Sequence, residues 1–236
     1  MRIGAVLGDA WNLYKRFLGR FFLTALVVFA VFDLLVGLAD AAAGDGWVSA
    51  IVWGLVSAAI GIAGYFCVQA ALVETVRDVR DGRADRSIGE TYRAVQPRLP
   101  AAIGGGLLAA IGIGIGLVLL IVPGLFLLTI WSMLIPVIVI EGRSAGEAFG
   151  RSQDVVRGNG WSVFGLVLVT FLIVAIASLL IQALFAPLPN FVDAWLGSLV
   201  ADSLTVPFAA AALTTAYFTL VARERGEALN SPAPAA

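Results

Sequence analysis

Six long apolar segments alternate with short polar connections along the chain. They cover residues 21–38, 47–73, 101–122, 125–140, 161–186 and 204–222. Helices of this length cross, or nearly cross, the ~30 Å hydrocarbon core of a bilayer. The fourth segment would reach only about 24 Å, so we expect it to be buried among the others or to continue past Ile140. The pattern predicts an all-α, polytopic membrane protein with six transmembrane helices.

A different periodicity precedes the first, third and fifth apolar segments. In residues 2–21, apolar side chains recur every three or four positions, and Asp9 and Arg16 fall on the other side. Residues 87–96 and 141–165 show the same pattern. Amphipathic helices beside spanning segments are typical of the membrane interface. We therefore expect three amphipathic helices on the cytoplasmic face, although the first could be a plain N-terminal flank.

Prolines indicate where several of these helices end. Pro97 and Pro100 are expected to end the second amphipathic helix, and Pro123-Gly124 to form a tight turn before the fourth span. Residues 187–203 predict a separate short interfacial helix on the outer side, before the sixth span.

A short motif repeats within the chain. Ser87 and Glu90 match Ser144 and Glu147, and each pair has the spacing of a capping box, in which serine and glutamate close the first helical turn. The repetition predicts a transmembrane domain over residues 1–226, with a disordered cytoplasmic tail from 227 to 236. Its expected units, each an interfacial helix plus a hairpin, are about 1–74, 86–141 and 143–223. Alternatively, the motif is simply a common helix start.

Small residues form a stripe along the third span. They are spaced by four, three and four positions: Gly105, Ala109, Gly112 and Gly116. Such stripes let helix backbones approach closely in a membrane. We expect a packing surface within one chain or between chains; glycines lining a pore are the alternative.

The distribution of charge predicts the orientation. Six crossings place all 15 Lys and Arg residues on one side of the membrane. By the positive-inside rule both termini are cytoplasmic, and we expect a multi-pass protein of the bacterial plasma (inner) membrane. Acids and arginines balance within 74–86, which predicts a self-paired helix extension. The net charge of −1 gives no indication of nucleic-acid binding.

A few polar residues lie inside the apolar segments. Asp33, Gln182 and Asp202 are predicted in the outer half of the membrane, and Gln69 lies in the second span. An acid at this depth without a basic partner stays protonated or binds a cation. The three outer residues are a candidate intramembrane site; alternatively, Asp33 is a neutral hydrogen-bonded acid and Asp202 merely begins the last span.

The sequence offers little enzymatic chemistry. It has no histidine and one cysteine, Cys67. We find no nucleophile–base pair, no phosphate-binding loop and no metal-ligand spacing, so we predict no enzyme activity, no cofactor and no metal. The favoured interpretation is a non-enzymatic module of the bacterial cell envelope that contacts lipids, another membrane protein or itself. The alternative is a small proton- or cation-linked transporter that uses the Asp33 region.

The centre of the chain also resembles a known family. The residues concerned are Pro123-Gly124, Trp131, Pro136, Glu141-Gly142, Glu147-Ala148, Ser152, Val156-Arg157-Gly158 and 161–165. They resemble the six-helix membrane domain fused to some glycerophosphoryl diester phosphodiesterases and shared by related bacterial inner-membrane proteins. That family usually has a Trp after the serine, where this chain has Gln153. The resemblance implies the six-helix fold, but not diesterase activity, which belongs to a separate soluble barrel.

Overall fold

The protein is a bundle of long helices. A computed structural model describes residues 1–44, 46–80, 82–185, 187 and 190–230, with the backbone alone for 190–194 and 227–230. The helices are α1 (Ile3–Arg16), α2 (Leu18–Ala41), α3 (Trp47–Val79), α4 (Ile88–Val95), α5 (Leu99–Leu119), α6 (Ile121–Ile130), α7 (Leu134–Pro136), α8 (Ala145–Val156), α9 (Gly160–Phe185) and α10 (Asn190–Asn230).

Six helical stretches are long and apolar enough to cross a membrane, which confirms the predicted all-α class and number of spans. They are Leu18–Ala41, Trp47–Val79, Ile88–Leu119, Ile121–Glu141, Gly160–Phe185 and Trp195–Gly226.

The long last helix, α10, lies at the centre of the bundle. In its most apolar window 67% of the residues are buried, against 11% in α9. Helices α3 and α10 contribute to both hydrophobic clusters of the interior. A helix such as α9, apolar on all sides but barely covered by protein, matches a lipid environment.

The turn between α5 and α6 lies at Leu120, so the predicted tight turn at Pro123-Gly124 is wrong. Leu120 has an extended backbone (φ −155°, ψ 131°), and the proline and glycine lie in the first turn of α6. A first-turn proline fits because its missing N–H would lack a helical partner there.

The second amphipathic helix, α4, ends at Val95, just before Pro97, as predicted. The chain passes from α4 through a 3-10 turn, Gln96–Arg98, directly into α5, because Pro97 and Pro100 take first-turn positions. Helix α10 is continuous from Asn190 with Pro207 inside it. The separate interfacial helix predicted over 187–203 is therefore wrong, since its residues from Asn190 onward belong to α10.

The fourth span is interrupted, which the sequence did not predict. After α6 ends at Ile130, the N–H groups of Ser132 and Leu134 bond three residues back, to Thr129 and Trp131. Helix α7 follows, and then a π-helical turn, Val137–Glu141. The Ser152 hydroxyl on α8 donates to the Ile130 carbonyl at 2.7 Å, which supplies a donor at the break.

Helices α1 and α8 both pack against the bundle. The Tyr14 hydroxyl donates to the Leu204 carbonyl at 2.8 Å, and Ala148 and Ser152 of α8 are fully buried. The tail predicted to be disordered begins at residue 227, but helix α10 continues to Asn230; residues 231–236 lie outside the described part.

Candidate functional site

The structure brings together two of the three predicted intramembrane polar residues. Asp33 on α2 and Asp202 on α10 lie within the range of electrostatic interaction, and Tyr65 on α3 lies within the same range of Asp202. The Tyr65 hydroxyl accepts a 3.0 Å hydrogen bond from Gln69. Gln182 is exposed on α9 and forms no hydrogen bond to another described residue. The acid pair therefore lies beside Tyr65 and Gln69, apart from Gln182.

Both predicted capping boxes form. Ser87 donates its N–H to Glu90 at 2.7 Å, and Ser144 donates its N–H to Glu147 at 3.0 Å. Each serine hydroxyl in turn accepts from the N–H of its glutamate. Hydrogen bonds from Ser144 hold the pKa of Glu147 below its usual value. The motifs start α4 and α8 in the same way.

The small-residue stripe of α5 faces several neighbours within the chain. A Cβ on Gly105 would lie 3.2 Å from Ile138, and one on Gly112 would lie 2.8 Å from the Trp131 ring. Ala109 is buried. A Cβ on Gly116 would lie 2.9 Å from the Cα of Gly124. The stripe thus lets α6, the helix break and the π-helical turn pack closely on α5.

Ion pairs join the helices at the arginine-rich end. Asp78 on α3 pairs with Arg20 on α2 at 2.7 Å. Glu74, which is almost fully buried, pairs with Arg86 and, at 3.6 Å, with Arg77. The predicted self-pairing within 74–86 is therefore incomplete, because Asp78 also binds a helix from another part of the chain.

A second network at this end is centred on Glu141. Arg151 on α8 donates to Glu141 at 3.0 Å and makes a bidentate pair with Glu224 at 2.8 Å. Arg143 and Tyr217 also donate to Glu141. Hydrogen bonds to Glu224 and Glu141 raise the pKa of Arg151, so it stays cationic. The network holds α8 and α10 against the end of the fourth span.

A cavity of about 480 Å³ lies at the break in the fourth span. Helices α3, α5, α9 and α10 and the segment 128–136 surround it. Its polar lining residues are Tyr65, Gln69, Ser132 and Thr214. Most of the remaining lining is aliphatic or aromatic, as is usual for ligand pockets of 300–1,000 Å³.

An apolar groove of about 710 Å³ lies on the outside of the bundle, between α6 and the start of α9. Phe126 and Phe164 line its sides, and Trp161 is 88% exposed at one end. Arg157 lies just before this end, is exposed, and forms no ion pair with a described residue. The apolar groove thus begins one residue after an exposed arginine that has no ion pair to a described residue.

The family described as a domain of unknown function (DUF7847) matches residues 20–220, which is most of the chain. The chain belongs to this family. No curated protein and no solved structure matches it significantly. Membership of the DUF7847 family does not link the chain to glycerophosphoryl diester phosphodiesterase fusions, so that resemblance remains a prediction.

Sequence reasoning missed the cavity that this DUF7847 member contains. Gln69 stands out in the sequence as a polar residue within a span, whereas Ser132 and Thr214 carry no distinguishing signal. Hydroxyls are common in membrane helices and usually bond their own backbone. Only the interruption at Trp131, which the apolar pattern conceals, shows that Ser132 lines a cavity. Among the described residues no group of three His, Cys, Asp or Glu side chains could hold a metal ion.

Proposed function

We propose that this protein is a non-enzymatic, lipid-binding integral membrane protein of the bacterial envelope. The observation that carries the proposal is the apolar groove beside Arg157. One acyl chain of a phospholipid would lie along Phe126 and Phe164, with its phosphate next to the Arg157 guanidinium.

Physical arguments favour an anionic phospholipid. A groove on the outer surface of a membrane-spanning helix pair is surrounded by acyl chains, so lipid is its most abundant neighbour. Tryptophan prefers the headgroup level of a bilayer, which matches the exposed Trp161 at the end of the groove. Arginine without an acidic partner binds phosphate through several N–H donors.

Lipid retention tests this proposal. The protein would be placed in nanodiscs of mixed phosphatidylglycerol and phosphatidylcholine, extracted, and analysed by native mass spectrometry. The double variant Phe126→Ala/Trp161→Ala should retain less of both lipids, and Arg157→Gln should remove the preference for phosphatidylglycerol. Phe171→Ala and Trp47→Ala are matched controls, because both residues are exposed outside the groove. Equal retention by all variants would refute the proposal.

The orientation belongs to the same proposal. The positive-inside rule supports placing both termini and the arginine-rich end in the cytoplasm, in the inner membrane. A cysteine would be introduced at Ala43, in the α2–α3 connection, or at Asp154, on α8. Both positions are exposed. With Cys67 replaced by Ala, a membrane-impermeant maleimide added to intact cells should label the first and spare the second. Labelling of both from the same side would overturn the six-span orientation.

We also propose that α1, α4 and α8 sit at the membrane interface and open three repeated units. The identical capping boxes of α4 and α8 support repetition of the second and third units. Depth-dependent quenching by brominated lipids of a tryptophan placed at exposed Gly146 would test the position of α8. Quenching at the depth of the acyl-chain ends would contradict an interfacial location.

The proximity of Asp33 and Asp202 favours a second candidate function, a proton- or cation-linked transporter. Two acids from α2 and α10 in an apolar layer can each take up a proton and together attract a cation. Proton or cation flux would be measured in proteoliposomes. Loss of this flux in Asp33→Asn and in Asp202→Asn, with no effect of Asp154→Asn, would support the function. Asp154 is an exposed acid at the arginine-rich end without an ion pair to a described residue. Absence of flux in the wild type would argue against this function.

A further inference from the structure

We propose that the cavity at the helix break binds the polar head of a neutral, single-chain amphiphile, such as a monoacylglycerol or a long-chain alcohol. The decisive group is the Thr214 hydroxyl. Thr214 is fully buried, lines the cavity, and its Oγ1 has no hydrogen-bond partner among the described residues. A buried hydroxyl without a partner is unfavourable, so a ligand that bonds it gains affinity.

Four other threonines of the bundle show how a hydroxyl is usually satisfied in a membrane helix. Threonine in a membrane helix normally donates to the carbonyl four residues before it. Thr75, Thr129, Thr205 and Thr219 all do so, at 2.7–2.9 Å. Three further buried hydroxyls also lack partners, on Thr24, Thr170 and Ser203, but none of them lines this cavity. Thr214 is thus the unpartnered hydroxyl at this site.

The remaining polar groups of the cavity can complete the recognition of an uncharged head. Gln69 uses one amide N–H on Tyr65, which leaves its carbonyl oxygen to accept from a ligand. Ser132 donates to the Thr129 carbonyl and can still accept. Together with Thr214, these groups offer donors and acceptors that match hydroxyl and ester groups.

The lining excludes charged ligands. No Asp, Glu, Lys or Arg is among the described residues that line the cavity. An ion in an apolar layer without an opposite charge is strongly disfavoured. The acid pair does not change this, because neither Asp33 nor Asp202 lines the cavity.

The apolar part of the cavity accommodates a chain. Gly106, Ala110 and Gly114 of α5 form a smooth wall, and Ile113 and Leu117 continue it. Tyr65, Ala110 and Leu117 are exposed at the bundle surface. A single-chain amphiphile could therefore enter laterally from the bilayer, as expected where non-helical backbone borders a cavity at membrane depth.

This site is separate from the proposed phospholipid groove. The two share no lining residue. Variants of Phe126 and Trp161 should leave the cavity unaffected, and variants of the cavity should not change phospholipid retention. Failure of one proposal is therefore distinguishable from failure of the other.

Photolabelling tests the inference with defined probes. The whole protein in phosphatidylcholine nanodiscs would be labelled with a monoacylglycerol that carries a diazirine on its chain, and labelled peptides would be identified by mass spectrometry. We expect labels on the cavity-lining peptides of α5 and on 128–136. Monooleoylglycerol and dodecanol should compete, whereas dodecyltrimethylammonium and, at alkaline pH, laurate should not.

Two variants and matched controls locate the site. Thr214→Val removes the hydroxyl at similar volume and should weaken competition by monooleoylglycerol about three- to tenfold, the value of one neutral hydrogen bond. Thr170→Val removes another buried hydroxyl without a partner and should have no effect.

Gly114→Phe should fill the cavity and abolish the labels, whereas Gly104→Phe on the same helix should not. A Cβ at either position meets no atom within 4 Å.

Several results would overturn the inference. Equal competition by charged and neutral probes on the wild type would show that no neutral polar site exists. Labels spread evenly over the bundle surface would show non-specific contact with membrane lipid. If Gly114→Phe does not fold, the competition series on the wild type and the Thr214→Val comparison still decide the question.

Discussion

The Tyr217 hydroxyl donates a 2.8 Å hydrogen bond to Oε1 of Glu141. This contact joins the central helix α10 to the residue at which the interrupted fourth span ends. Arg151 strengthens the connection, since it bonds both Glu141 and Glu224. The end of the fourth span, α8 and the distant helix α10 thus meet at one carboxylate, next to the π-helical turn.

Replacing Tyr217 by Phe should weaken the bundle at this point. A hydrogen bond to a charged acceptor contributes about 1.5–3 kcal/mol, and we expect the lower half of that range because Glu141 is partly exposed. Unfolding of detergent-solubilised protein would measure the loss. In a double-mutant cycle with Glu141→Gln the two effects should be non-additive. Additive effects would show that the hydrogen bond contributes nothing.

The capping box of α8 should make stability depend on pH. Hydrogen bonds from Ser144 lower the pKa of Glu147 from its ordinary value of 4.5. The glutamate therefore contributes its full stabilisation above pH 4.5, and the contribution is lost as the pH falls through the lower folded pKa. Glu147→Gln should flatten this part of the melting temperature–pH curve, whereas Asp154→Asn, at an exposed acid without an ion pair to a described residue, should leave it unchanged. An unaltered curve in Glu147→Gln would contradict the assignment.

The sequence predicted the number of helices better than their ends. Hydropathy identifies spans because each has to bury a long apolar surface in lipid. The turn predicted at Pro123 was wrong for a physical reason, and Pro207, for which no turn was predicted, lies inside α10. Proline is compatible with the first turn of a helix, and a neighbouring helix in a membrane can compensate for a proline farther inside.

Contacts between distant segments account for the remaining errors. The fourth span breaks after Ile130, where the Ser152 hydroxyl 22 residues later supplies a hydrogen bond. No local pattern in this apolar segment reveals that partner. The cavity depends on the same break, so it could not be predicted either. The acid pair was partly predictable, because Asp33 and Asp202 stand out as charges within apolar segments.

Gly124 should be essential for the α5–α6 hairpin. A Cβ at Gly124 would lie 2.5 Å from the backbone nitrogen of Leu117, so Gly124→Ala requires the two helices to separate. We expect a destabilisation of about 1–3 kcal/mol, the usual effect of overpacking. Gly104→Ala on the same hairpin is the control: its Cβ meets nothing within 4 Å, so it should stabilise by about 0.5–1 kcal/mol. Equal effects of the two substitutions in an unfolding titration would refute this close approach.

The buried carboxylate of Glu74 should make Arg86 more important than its partly exposed side chain suggests. Glu74 is 1% exposed, and Arg86 is its closest cation, while Arg77 lies 3.6 Å away. Arg86→Leu leaves a buried acceptor poorly paired, at a cost of about 1–3 kcal/mol. Arg77→Leu should have a smaller effect in the same unfolding measurement, because the longer contact is weaker.

The double variant Glu74→Leu/Arg86→Leu separates loss of the pair from loss of a compensating charge. Replacing both partners by apolar residues removes the unpaired carboxylate as well as the attraction. We therefore expect the double variant to be more stable than Arg86→Leu alone, in spite of carrying one more substitution. If it is less stable, the pair itself holds the end of α3, and burial of an unpaired charge is not the cause of the Arg86→Leu effect.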